Sequence, residues 1–127
     1  MFIFATKIIM KPSSCKQKGR SLQKYVCEAI LREFDLEPDD VTSRSMGANG
    51  EDILLSPKAR KVFPFSTECK NQEALNIWTA MQQAEANAKN NIPLLVFKRN
   101  RSSIYCCLPM EDLFKLLKNE DNTQQNL

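Results

Sequence analysis

The chain has 127 residues, of which 43% are hydrophobic and 26% charged, which sets it apart from disordered, collagenous and membrane proteins and allows one domain with one core. Its net charge of +3 is unevenly placed: residues 1–27 hold Lys7, Lys11, Lys16, Lys18, Arg20 and Lys24 and no acid, while residues 28–127 carry 12 basic and 15 acidic residues. Such an asymmetry points to a polyanionic partner, the alternative being a solvated basic arm.

Taken in chain order, "MFIFATKIIM" is apolar over only ten residues and is broken by Lys7, too short for a membrane span and without the features of a secretory signal. It reads either as an added edge strand or as sequence upstream of a start at Met10. A first helix is expected from about Gly19 to Phe34, with Leu22, Tyr25, Val26, Ala29, Ile30 and Leu31 on a stripe that faces a sheet. "DLEPDD" ends it, and a short strand follows near Val41–Arg44. "SMGANG" is a loop, "EDILLS" a strand ending at Pro57, and "VFPFSTECK" a third strand, with antiparallel hairpins as the natural connections.

From Glu73 to about Lys89 the period becomes helical, with Ala74, Ile77, Trp78, Met81, Ala84 and Ala88 as the apolar stripe and Trp78 read as core. Asn76, Gln83 and Asn87 fall on a stripe read as opposite to it. "PLLVFKR" and "SIYCCLP" read as a buried strand and its hairpin partner, "MEDLFKLL" as a closing helix, and "KNEDNTQQNL" as a tail without apolar period. The expected order is αβββαββα: an α/β fold with a central mixed five-stranded sheet flanked by helices. The organisation is an arm over 1–17, a folded domain over 18–118 and a disordered tail over 119–127.

Several chemistries are excluded. There is no histidine, so imidazole cannot serve as base or metal ligand. Only three glycines occur and no GxxxxGK, which argues against a phosphate loop. The five cysteines are odd in number and lack CxxC spacing, so they make neither a disulfide framework nor a zinc site, and a reducing cytoplasm fits. What stands out is "STECK": Glu68 and Lys70 are two apart on a strand and emerge on one face of an otherwise apolar run, where an unpaired charge is costly. A plain salt bridge at a sheet edge is the simplest reading of that pair alone.

Asp52 on the second strand, followed sixteen positions later by Glu68-Cys69-Lys70 on the third, resembles the bipartite signature of the PD-(D/E)XK nuclease superfamily. Glu51 stands where the proline would be. "KGRSLQKYV" at 18–26 resembles the opening helix of archaeal and phage Holliday junction resolvases, with Gln23 in place of the helix glutamate, and "SRSMGANGED" resembles their loop before the aspartate. The resemblance spans about residues 18–117 and is closest to small phage-encoded resolvase-like endonucleases.

It implies a Mg²⁺-dependent endonuclease, with Mn²⁺ as a substitute, that hydrolyses phosphodiesters of branched DNA to 5′-phosphate and 3′-hydroxyl ends and acts as a homodimer in the cytoplasm. Asp52, Glu68 and the backbone carbonyl of Cys69 are the expected metal ligands, with Gln23 a further candidate, because Mg²⁺ takes hard oxygen donors and keeps several waters. Lys70 would orient or deprotonate the attacking water; as a base it would have to titrate below the ordinary value of about 10.4. Gln83 matches the helix glutamine that follows ExK and positions the site or the scissile phosphate. Lys16, Lys18, Arg20, Lys24, Arg44, Ser45 and Asn49 are the candidate DNA contacts. The alternatives are a restriction-like or recombination and repair nickase, or a DNA-binding protein whose nuclease site has lapsed.

Overall fold

The computed structural model describes residues 12–45 and 47–125. The reading of residues 1–10 as an edge strand, together with Lys7 and Lys11, lies outside them. Four α-helices and five strands follow in the order α1 (Pro12–Glu33), a 3-10 turn (Pro38–Asp40), β1 (Val41–Ser43), β2 (Ile53–Leu55), α2 (Pro57–Val62), β3 (Phe65–Asn71), α3 (Ile77–Ala88), β4 (Ile92–Lys98), β5 (Tyr105–Cys107) and α4 (Met110–Gln125).

The α/β class is as expected, but the single five-stranded sheet is not. β1 and β2 form a two-stranded antiparallel sheet, and β3, β4 and β5 a separate three-stranded one. β2 is only three residues long and is stopped by Pro57. One main-chain bond links it toward β3, from the Asp52 N–H to the Thr67 carbonyl at 2.8 Å, which is a single rung and not a ladder. The helix α2 is an unforeseen element: Ser56 caps it by accepting from the Ala59 N–H, and Pro57 sits in its first turn, where a missing N–H costs nothing. The third strand therefore starts at Phe65 and not at Val62.

β3 and β4 pair in parallel, in register from Phe65 opposite Ile92 to Asn71 opposite Lys98; α3 provides the crossover that a parallel pair requires. β4 and β5 are the expected antiparallel hairpin. β3 is covered on both faces. Cys69 joins Leu22, Val26, Cys27 and Ile30 of α1 in the core, along with Leu94 and Val96 of β4. Ser66 and Glu68 turn the other way, to Asn87 of α3.

α3 corrects two expectations. Its buried positions are Ala80, Ala84 and Ala88, a stripe of small side chains that brings the helix close to the sheet. Trp78 is 83% exposed, so it is not core. Asn87 lies along the buried stripe and not opposite it, because the close approach lets an amide reach β3. α1 begins seven residues before the expected Gly19, and Tyr25, placed in its apolar stripe, is exposed. α4 runs on to Gln125, through backbone that the sequence reading left as a disordered tail. No helix among the described residues is long and apolar enough to cross a membrane.

Candidate active site

The local architecture delivers two carboxylates to one edge of β3. Residue 52 is fixed at three points. Its N–H bonds to the Thr67 carbonyl at 2.8 Å, its carbonyl accepts from the Arg44 N–H at 2.8 Å, and its Oδ2 accepts from the Cys69 N–H at 2.8 Å. Along a strand the N–H and C=O of one residue point to the same side and alternate from residue to residue. The Cys69 carbonyl is thus turned, like that of Thr67, to the edge where Asp52 sits, while the main chain of the even-numbered Glu68 and Lys70 is left to bond toward β4.

The loop leading to Asp52 is braced by Arg44 and Glu51. The Arg44 Nε donates to the Glu51 carbonyl at 2.7 Å, and its guanidinium lies against Gly50, where an added Cβ would come within 3.2 Å of it. Gly50 has φ +107, a conformation that glycine adopts without strain. Arg60 binds both carboxylate oxygens of Glu51, at 2.6 and 3.2 Å, and the Phe65 carbonyl at 2.6 Å. Glu51, in the place of the proline, thereby ties the loop to the start of β3.

Glu68 is 2% exposed, and its Oε1 accepts from the Asn87 Nδ2 at 2.8 Å. Burial pushes its pKa up to about 7; the Asn87 bond opposes this, the Asp52 charge adds to it and Lys70 opposes it. Lys70 shares with Gln83 the wall of a cavity of about 250 Å³ that also touches Asn76 and Thr79. Asp52, Glu68, Cys69, Lys70 and Gln83 are therefore gathered at one end of the β3–α3 layer. Asn87, one turn on from Gln83, is placed by its i+4 spacing on the same polar stripe, but that stripe reads as facing away from the core; the structure turns Asn87 to the Glu68 carboxylate instead.

Gln23 is buried, at 5% exposure. The opposite flank of α1, Ser21, Tyr25 and Ala29, borders Leu94, Val96 and Cys106, so helix geometry turns Gln23 toward the β1–β2 side. α1 runs antiparallel to β3: the Lys18 carbonyl accepts from Asn71, and Phe34, just past the end of α1, meets Phe63, just before β3, edge to face. At 1.5 Å per helical residue, Gln23 lies about 7.5 Å along from Lys18, roughly level with positions 68 and 69.

The candidate DNA contacts divide. Lys16, Arg20 and Lys24 are exposed and four apart, a continuous stripe on the same flank as Gln23. Lys18 is engaged within the chain, by Asn100 and by Glu73 at 3.9 Å. Arg44 serves the loop as described, while Ser45 and Asn49 are exposed in it.

The donor set fits a hard divalent cation. Two carboxylates side by side, one of them buried enough to hold its proton near neutrality with Lys70 opposing that shift, are a pair that a divalent charge would balance. Among the described residues no group of three or more His, Cys, Asp or Glu could hold a metal. A cation held here would draw on a main-chain oxygen and water, as Mg²⁺ tolerates and a structural zinc does not. Cys69 and Cys27 offer no thiolate, since burial raises both thiols, Cys27 to about 11.

A search of curated proteins and a search of solved structures each returned no match. A family profile described as "Phage putative PDDEXK endonuclease" matches residues 21–126, a span that includes Asp52, Glu68-Cys69-Lys70, all of α3 and α1 from residue 21 onward. The chain belongs to this PD-(D/E)XK phage nuclease family.

Proposed function

We propose that the protein is a Mg²⁺-dependent DNA endonuclease, able to use Mn²⁺, and that its substrate is branched DNA of the four-way junction type. The observation that carries the nuclease reading is the bond from the Cys69 N–H to the Asp52 Oδ2 at 2.8 Å. It sets the aspartate beside the ExK strand, with a buried Glu68 next to it. Asp52, Glu68 and the Cys69 carbonyl would hold the cation, with Gln23 completing the protein ligands from the α1 side. The cation supplies charge neutralisation of the phosphodiester and makes water more acidic.

The remaining roles fall to the chain itself. Lys70 orients the attacking water from the cavity it shares with Gln83, and Gln83 holds the scissile phosphate by its amide. Asn87 keeps the Glu68 carboxylate in place. Hydrolysis puts the hydroxyl on phosphorus and leaves 5′-phosphate and 3′-hydroxyl ends. Lys16, Arg20 and Lys24, with Ser45 and Asn49, contact phosphates without reading sequence.

The junction reading rests on need for shape. A surface of phosphate contacts cannot choose among linear sequences, whereas a twofold dimer acting in the host cytoplasm would present two sites to the two equivalent strands of a junction. Labelled four-way junction, linear duplex and single strand, each with Mg²⁺, Mn²⁺ or EDTA, test it. Symmetric paired nicks in the junction, absent with EDTA, are expected. Equal cutting of junction and duplex would remove the resolvase reading and leave the nuclease.

A further inference from the structure

We infer that α4 is a self-association helix, which pairs antiparallel with α4 of a second copy of this chain. This locates the dimer proposed above, but it stands on the surface of α4 alone and not on the nuclease reading.

Met110, Leu113, Phe114 and Leu117 are spaced i, i+3, i+4, i+7, and they are 65%, 40%, 49% and 50% exposed. That is an apolar seam two turns long on a helix whose sequence would otherwise be solvated, the pattern of a helix awaiting a helical partner. A solvent-facing seam of four large side chains costs the isolated chain and is removed by a matching seam.

Charge selects the partner and its direction. Glu111 and Lys118 are exposed and lie on the same flank of the seam, since seven residues return nearly to the same angle. Neither makes an ion pair with a described residue. In an antiparallel pair with its axis between Leu113 and Phe114, position 111 faces position 116 of the partner. Lys118 of the partner is two residues further, about 3 Å along the helix and within side-chain reach. The twofold makes this pair twice. A parallel pair would put the two charged flanks on opposite sides of the seam and bring no Glu111 to a Lys118 of the partner. Two turns per chain bury less than the roughly 800 Å² per partner of a stable complex, so the association is reversible and depends on concentration.

Sedimentation velocity on the full chain over a concentration series tests this, with far-UV circular dichroism as a check on folding and Mg²⁺-dependent plasmid nicking as a separate readout. The wild type should dimerise as concentration rises, and Phe114→Glu should be monomeric with unchanged helicity. Glu111→Lys and Lys118→Glu should each weaken the dimer about three- to fivefold, and the double swap should restore it. A wild type that is monomeric throughout overturns the inference. So does a dimer indifferent to Phe114→Glu or to the swaps, which places the interface elsewhere. A seam that becomes available only when residues 1–11 are removed would assign its cover to that segment and also overturn it. A wild type that dimerises but does not nick refutes the nuclease reading alone; a wild type that nicks but stays monomeric refutes this inference alone.

Discussion

Removing the negative charge of Glu68 should flatten the pH dependence of folding stability in the metal-free protein. The folded-state pKa of about 7, against 4.5 for the free side chain, means that between these values the folded state holds a proton that the unfolded chain has released. Stability from this group is therefore fully present below about pH 4.5 and is lost as pH rises through about 7. At about 1.4 kcal/mol per unit, the loss is about 3 kcal/mol. Glu68→Gln keeps an oxygen for the Asn87 amide to bond and carries no charge, so its stability should not fall over that window. Urea unfolding of both proteins in chelator, from pH 4.5 to 8, measures the difference directly. The variant should be the more stable protein at pH 8 and should lose that advantage near pH 4.5. Parallel pH profiles would refute the reasoning, because they would mean that the carboxylate is solvated and in need of no balancing cation.

Three further outcomes follow from the same geometry. Asn87→Ala removes a hydrogen bond to a charged group, worth about 1.5–3 kcal/mol, and should weaken divalent-cation binding by about tenfold or more in calorimetry; unchanged affinity would leave Asn87 as packing only. Gly50→Ala puts a Cβ at φ +107 and against the Arg44 guanidinium, so a stability loss of about 1–3 kcal/mol and slower nicking are expected, and a neutral result would show the Asp52 loop to be unbraced. Gln23→Glu should tighten cation binding or change the preference between Mg²⁺ and Mn²⁺, while an identical titration would place residue 23 away from the metal.

Much of this was legible because it is written locally. A two-residue alternation carries Glu68 and Lys70 to one face, and the turn residues around Gly47 and Gly50 mark the loop before Asp52. The sheet division was not legible, since it depends on β2 stopping after three residues and on one long-range bond from Asp52 to Thr67. The helix α2 carried a start signal, Ser56 before Pro57, which reads equally as the end of a strand. α3 misled because hydrophobicity weighs Ile77 and Trp78 above three alanines. The sheet chose the alanines for their size, which is what brings Asn87 to Glu68. The pairing of Glu51 with Arg60 joins residues nine apart across a helix that the pattern did not reveal.

The central claim is that Asp52 and Glu68 form a cation-dependent phosphodiesterase site, and plasmid nicking tests it most directly. Supercoiled DNA is incubated with wild type, Asp52→Asn and Glu68→Gln at one protein concentration, with Mg²⁺ and with Mg²⁺ plus excess EDTA, while DNA binding is followed in parallel. Nicking by the wild type in Mg²⁺ only, with both variants inactive yet still bound to DNA, is the expected result. Nicking by the wild type in excess EDTA, or undiminished nicking by Asp52→Asn, would contradict the account.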